Sequence, residues 1–253
     1  MSPGLLEATG IVLRRGGLVA VDRVDLRAEP GRVTAVIGPN GAGKTTLFDC
    51  LSGVLKPEAG SVRLDSVELT QRTADERSRL GVLRTFQRSS VFASLTVREN
   101  LLAGAENRDR QPFLRAIAGL RERRRPGAAS MADRVLGELD LATWRDVPAG
   151  LLPTGTLRLV ELARAICANP SVLLLDEPAS GLDDEEVEAL GALLRRLAAR
   201  GLCLVLVEHD IDLVQAIADV VYAMAAGQVL AVGTPAEIVE RPDVRTLVLG
   251  MAE

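Results

Sequence analysis

Aromatic side chains are scarce: one tryptophan, one tyrosine and four phenylalanines in 253 residues. That is too few for the stacking platform that single-stranded nucleic acid needs. Basic residues do not dominate either. Thirty Lys and Arg against 34 Asp and Glu give a net charge of −4 and a pI of about 5.3, which argues against nucleic acid as the main partner. Cysteine is limited to Cys50, Cys167 and Cys203, scattered and without any C-x-x-C pair. This supports neither a disulfide framework nor a zinc site, and a reducing cytosol fits it. No apolar run approaches the roughly 18–20 residues of a membrane-spanning helix, and Ser2-Pro3-Gly4 opens no cationic export leader. Lysine occurs only at Lys44 and Lys56, and histidine only at His209. What remains is an ordinary balance, 25% charged and 47% apolar, in a chain long enough to bury a sizeable core as one large domain or two small ones.

Against that background one stretch stands out. Gly38-Pro39-Asn40-Gly41-Ala42-Gly43-Lys44-Thr45 is a complete G-x-x-x-x-G-K-[ST] phosphate loop. The apolar run Val33–Ile37 before it reads as a buried strand, and Thr45-Thr46-Leu47-Phe48 after it reads as the start of a helix. Glycines let consecutive backbone N–H groups turn towards a phosphate, and the helix N-terminus adds its positive dipole end. Lys44 supplies a point charge for the β- and γ-phosphates, and Thr45 a hydroxyl for Mg²⁺.

The rest of the chain frames this loop. Leu6, Ala8, Ile11 and Leu13, then Val19, Val21, Val24 and Leu26, alternate on either side of Gly16-Gly17 and predict two antiparallel strands. Short strands are expected over 61–65 and 81–86, with a polar helix over 74–80. From about 88 to 150 the composition turns helical and arginine-rich. The run Arg121-Glu122-Arg123-Arg124-Arg125 could touch acidic lipid headgroups, but such a run is more often a solvated helix face. A helix from Thr156 to Ala168 precedes a continuous apolar strand over 171–175. A helix over 184–200, a strand over 202–207, a helix over 211–218, two final strands around Ala226-Gly227, and a capped helix opening at Thr234-Pro235 complete the pattern. No internal repeat interrupts it.

Hydrolysis of ATP needs more than a phosphate loop. Asp176-Glu177 ends the apolar strand at 171–175, where side chains of a parallel sheet reach the ligand crevice. Asp176 is placed to serve Mg²⁺, and Glu177 to activate the attacking water. His209 ends the next strand and is placed to reach a γ-phosphate beside Glu177. Gln87, after the 81–86 strand, is placed to reach Mg²⁺ and the water.

Taken in order, the loop at 38–45, Gln87, the Leu152–Ala165 segment, Asp176-Glu177, Ser180-Gly181-Leu182-Asp183 and His209 resemble an ABC transporter ATP-binding subunit over nearly the whole chain. Gly16–Val21, the arginine-rich insert after Leu95–Asn100, and Val229–Ile238 resemble most the ATP-binding subunits of branched-chain amino acid importers. The resemblance implies an α/β fold. It comprises a P-loop NTPase core with a mostly parallel sheet, an N-terminal antiparallel β subdomain, and a helical signature subdomain inserted at about 88–165 within one domain spanning 1–253. It implies a transport-coupled ATP hydrolase with ATP and Mg²⁺ as cofactors. Gly38 to Thr46 with Arg15 and Ala20 would bind the nucleotide, Thr45, Gln87 and Asp176 would hold the metal, and Glu177, His209, Gln87 and Lys44 would carry catalysis.

Two positions depart from the family pattern. The signature is Leu152-Pro153-Thr154-Gly155-Thr156, in which proline replaces serine and Thr154 or Thr156 is left to supply a hydroxyl. The position that usually stacks an aromatic ring on adenine is Arg15, whose guanidinium plane can stack instead. The resemblance further implies that Thr154, Gly155 and Thr156 face ATP on a second subunit in a homodimer or heterodimer, with Asp183 in the loop crossing between the two. The surface after Gln87 would meet separate transmembrane permease subunits, with a solute-binding protein as an indirect partner. The expected place is the cytoplasmic face of the cell membrane, and no nucleic acid is involved. The rival readings are a soluble non-transport ABC ATPase and a weakly hydrolysing nucleotide-sensing module.

Overall fold

The structure is a computed structural model that describes residues 4–85, 91–106 and 127–247. The chain divides into two compact units. One comprises Met1–Gln87 with Ser171–Glu253, and the other Arg88–Pro170.

The first unit holds two sheets. Strands β1 (Leu6–Arg15) and β2 (Leu18–Ala28) pair antiparallel through Gly16-Gly17, and β4 (Ala59–Leu64) pairs antiparallel with β1. A two-residue strand β5 (Val67–Glu68), which the sequence pattern did not indicate, closes this sheet in the order β2-β1-β4-β5. The second sheet has six strands, in the order β10-β9-β3-β8-β7-β6. They are β3 (Val33–Ile37), β6 (Val82–Arg84), β7 (Val172–Asp176), β8 (Cys203–Val207), β9 (Val220–Ala225) and β10 (Gln228–Gly233). All neighbours are parallel except β9 and β10, which form an antiparallel hairpin. Every residue of β3, β7 and β8 is buried. These strands are covered on both faces, which is why they read as uninterrupted apolar runs. The expected α/β fold with an N-terminal antiparallel sheet is what forms.

Helices α1 (Lys44–Ser52) and α2 (Ala74–Leu80) belong to this unit, as do four helices of its C-terminal half. In the second unit, α3 (Val97–Glu106), α4 (Ala128–Glu138) and α5 (Thr154–Cys167) pack on one another. Helix α5 begins at Thr154, two residues before the expected Thr156, because Pro153 takes the N-cap position. Helix α4 ends at Glu138, and Asp140, two residues on, adopts φ 54°, which a helix cannot accommodate. The first unit resumes with α6 (Asp184–Ala199), α7 (Ile211–Ile217), α8 (Pro235–Glu240) and α9 (Pro242–Leu247). The arginine run at 121–125 lies outside the described residues.

All three cysteines are buried. Desolvation pushes the thiol of Cys50 up to about 11 and those of Cys167 and Cys203 to about 12. Only the thiolate reacts quickly with a disulfide reagent, so at about pH 8 the native protein should release almost no thiol signal. Denaturation should release three equivalents, from the three cysteines of the chain. A fast equivalent from native protein would show that one site opens.

Candidate functional site

The register of the six-stranded sheet brings the chemistry to one edge. Val36 of β3 and Asp176 of β7 both lie beside Val207 of β8, on its two sides. The segments that leave these strands at their C-terminal ends therefore emerge side by side. They carry the phosphate loop after β3, Glu177 after β7, and Glu208-His209 after β8.

The loop is seated by glycine. Gly43 has φ 99°, and a Cβ on it would stand 2.2 Å from the Ala20 carbonyl oxygen. A Cβ on Gly38 would stand 2.3 Å from the Met224 carbonyl oxygen. Both positions exclude any side chain because backbone from β2 and β9 presses against the loop. Ala20 thus meets the loop through its backbone. The turn at Ala226-Gly227 also holds it: Gly227 N–H donates to Ala42 O at 3.0 Å. Helix α1 starts with no side-chain cap, so its first N–H groups are left to a ligand. Lys44 is buried, and its Nζ donates to the carbonyls of Gly38 at 2.6 Å and Pro39 at 3.0 Å. Burial lowers its pKa, while the nearby carboxylates of Glu177 and Asp176 act the other way. Thr45 is exposed at the second position of α1, and Thr46 is buried beneath it.

At the end of β7, Asp176 is buried, with one carboxylate oxygen paired to Arg84 at 2.7 Å. Its other oxygen, Oδ1, is buried and has no hydrogen-bond partner among the described residues. Glu177 takes φ 48°, an unusual conformation for a non-glycine residue. It is fixed there by its N–H donating to Val207 O at 2.9 Å and its carbonyl accepting from Ser180 N–H at 3.1 Å. Its Oε1 lies 2.9 Å from His209 Nε2. The structure thus brings together Lys44, Asp176, Glu177 and His209.

Glu208 and Arg84 had no role in the sequence reading. Buried Glu208 accepts the N–H of Ala179 at 2.9 Å on one oxygen and that of His209 at 3.0 Å on the other. It therefore ties the segment after Glu177 to the segment carrying His209. Burial raises its carboxyl above the usual range. A signal for Arg84 was present in the sequence: a lone cation in a strand that is otherwise apolar needs a buried acid.

The remaining predicted residues are placed as follows. Arg15, 56% exposed, pairs its Nη2 with Asp49 Oδ2 at 2.8 Å. Its guanidinium edge is engaged, which distinguishes it from a freely stacking side chain. Asp183 caps α6, accepting from Glu186 N–H at 2.9 Å while Glu186 returns a bond to the Asp183 N–H. In the second unit, Thr154 is exposed, Gly155 is buried and Thr156 half-buried in the first turn of α5, whose N-cap Pro153 offers no side-chain bond. Phe92 is exposed, with the Arg164 guanidinium 5.5 Å from its ring centre. Gln87 lies outside the described residues.

A profile described as ABC transporter matches residues 21–180. The branched-chain amino acid transport ATP-binding protein BraF of Pseudomonas aeruginosa is 39% identical over the full length of both chains. LivG of Escherichia coli, with the same description, is 37% identical over the full length of both. A nucleotide-free ATP-binding cassette from an ABC transporter superposes with a TM-score of 0.86 at 30% identity, covering 99% of this chain and 100% of that one. An ADP-bound cassette superposes with a TM-score of 0.84 at 30% identity, covering 97% and 98%. The chain therefore belongs to the ABC transporter family, as an ATP-binding and ATP-hydrolysing subunit.

Proposed function

We propose that this chain powers an importer of branched-chain amino acids or a related small polar solute, working as one of two ATP-binding subunits beneath separate permease chains at the inner face of the membrane. The observation that carries the transport reading is the end-to-end match to BraF and LivG. Among the described residues no helix is long and apolar enough to cross a membrane, so permeation falls to other chains. The region following Gln87, where Phe92 is exposed, supplies the surface for them.

The residues at the edge of the six-stranded sheet fit Mg-ATP. The uncapped N-terminus of α1 and Lys44 would hold the phosphates. Thr45, Asp176 and Gln87 would hold Mg²⁺, and the buried Oδ1 of Asp176, without a hydrogen-bond partner among the described residues, is the observation that suits a hydrated cation. Bound Mg²⁺ would neutralise charge on the phosphates. Glu177 would take a proton from the attacking water, and His209, 2.9 Å from it, would hold its carboxylate in place and face the γ-phosphate. Each chain has one phosphate loop and one signature segment. We infer that two chains join head to tail, with Gly155 and the threonines beside it closing over the partner's nucleotide and Asp183 near the crossing point. ATP that binds the closed pair better than the open one would move the permease between states.

The test is oligomeric state. Glu177→Gln with ATP and Mg²⁺ should elute from a sizing column as a dimer, and without nucleotide as a monomer. A variant that remains monomeric at saturating ATP-Mg²⁺ counts against the composite site. Tagged chain drawn from detergent-solubilised membranes should bring a multi-spanning protein with it, and recovery of none would oppose the transport assignment.

A further inference from the structure

Four charged side chains of the first unit form a continuous chain across the base of the site. Arg15 Nη2 lies 2.8 Å from Asp49 Oδ2. Asp49 Oδ1 lies 2.6 Å from Arg84 Nη1, and Arg84 Nη2 lies 2.7 Å from Asp176 Oδ2. Exposure falls along the chain, from 56% at Arg15 and 13% at Asp49 to 6% at Arg84 and 3% at Asp176. Arg84 is wedged between helix and sheet: Nη1 also reaches Ser52 Oγ at 3.4 Å, and its guanidinium lies 5.8 Å from the centre of the Phe48 ring. Asp49, Phe48 and Ser52 are all on α1, whose first residue is Lys44.

We propose that Arg84 is the positioning residue of Asp176: it pins Oδ2 so that the buried Oδ1, which has no hydrogen-bond partner among the described residues, is turned to the hydrated Mg²⁺ of a bound nucleotide. The inference rests on the Mg-ATP reading of the site. A carboxylate that binds a cation through one oxygen is free to rotate unless the other is held. Arg84 is a planar fork with two separate arms, so it holds Asp176 of β7 and Asp49 of α1 in one geometry. A lysine, with one point of charge, cannot span both. Asp49 in turn fixes the second arm of the fork. The wedge thereby sets the distance between the strand bearing Asp176 and the helix bearing Thr45, the two elements that would share the ion. Arg84 does not itself meet the nucleotide.

The experiment compares binding of a fluorescent ATP analogue in EDTA and in saturating MgCl₂, alongside the Mg²⁺ concentration that half-saturates hydrolysis. In Arg84→Gln, affinity in EDTA should stay within about twofold of the parent. The gain on adding Mg²⁺ should shrink by about 10–100-fold, the range seen when a group orienting a metal ligand is lost. Half-saturating Mg²⁺ should rise to match. Arg84→Lys should fall between parent and Arg84→Gln, and Asp49→Asn should shift the Mg²⁺ requirement by less than about threefold. These two variants carry the test if Arg84→Gln does not fold. An unchanged Mg²⁺ gain in Arg84→Gln or Arg84→Lys, or an equal loss in EDTA, would overturn the proposal. A parent protein showing no Mg²⁺ gain at all would instead overturn the Mg-ATP reading beneath it.

Discussion

Glu177→Gln should lower ATP turnover by about 10²–10⁴-fold while leaving ATP affinity within about twofold. The expectation comes from what the substitution keeps. Glutamine has the same length and retains an oxygen that can accept the 2.9 Å bond from His209 Nε2. The backbone at φ 48° is held by Val207 and Ser180, not by the side chain, so the strain of roughly 1–3 kcal/mol stored there is unaffected. Lys44 is the first residue of α1 and the phosphate loop joins α1 to β3, so the elements that would bind nucleotide do not include Glu177. What disappears is the group able to take a proton from water. The phosphate released per minute reads the chemistry, and a fluorescent nucleotide reads binding. His209→Ala provides the contrast: it leaves the base but removes the group that holds it. It should therefore cost less than Glu177→Gln. Turnover within tenfold of the parent in Glu177→Gln would transfer the role of base to another group.

The parts of this site that the sequence displays are the local ones. A phosphate loop is eight consecutive residues whose glycines and lysine act through their own backbone, so it can be read without knowing the fold. Asp176-Glu177 and His209 were also legible, because an apolar run ending in a polar group marks the end of a buried parallel strand. The alternation through Leu6, Ala8, Ile11 and Leu13 gave the hairpin of β1 and β2, although Gly10 at φ 60° and the register shifts around it were not visible. Pairings across long separations were not legible. Arg84 and Asp176 are 92 residues apart, and Glu208 reaches back 29 residues to Ala179. Composition cannot say which buried acid meets which arginine. Arg15 shows the same limit: its position near the nucleotide was expected from pattern, but its partner Asp49, 34 residues away, emerges only once α1 is docked on β1.

Arg77→Ala should cost about 3–5 kcal/mol of folding stability, a large fraction of the roughly 5–15 kcal/mol available to a domain. Arg77 is wholly buried, and among the described residues no carboxylate is a hydrogen-bond partner of it. Its guanidinium donates to carbonyls instead: Nη1 to Cys50 at 2.6 Å and Leu51 at 2.8 Å, Nη2 to Thr70 at 3.4 Å, and Nε to Arg72 at 3.2 Å. Cys50 and Leu51 belong to the last turn of α1, which has no basic residue of its own. Arg77 therefore answers both the unsatisfied carbonyls and the negative dipole end of that helix. Burial lowers its pKa, the direction expected where desolvation outweighs its partners. Truncation leaves a cavity and four carbonyls that have lost this donor. Arg77→Met separates the two losses, because it refills volume without restoring donors. Urea midpoints should rank the parent above Arg77→Lys, then Arg77→Met, then Arg77→Ala. If Arg77→Met unfolds within about 1 kcal/mol of the parent, cavity filling and not carbonyl satisfaction is what Arg77 supplies. The consequence reaches the site because α1 carries Lys44 and Thr45 at its other end. Loosening its last turn should make the protein more dependent on nucleotide for stability, so saturating ATP should recover part of the lost midpoint.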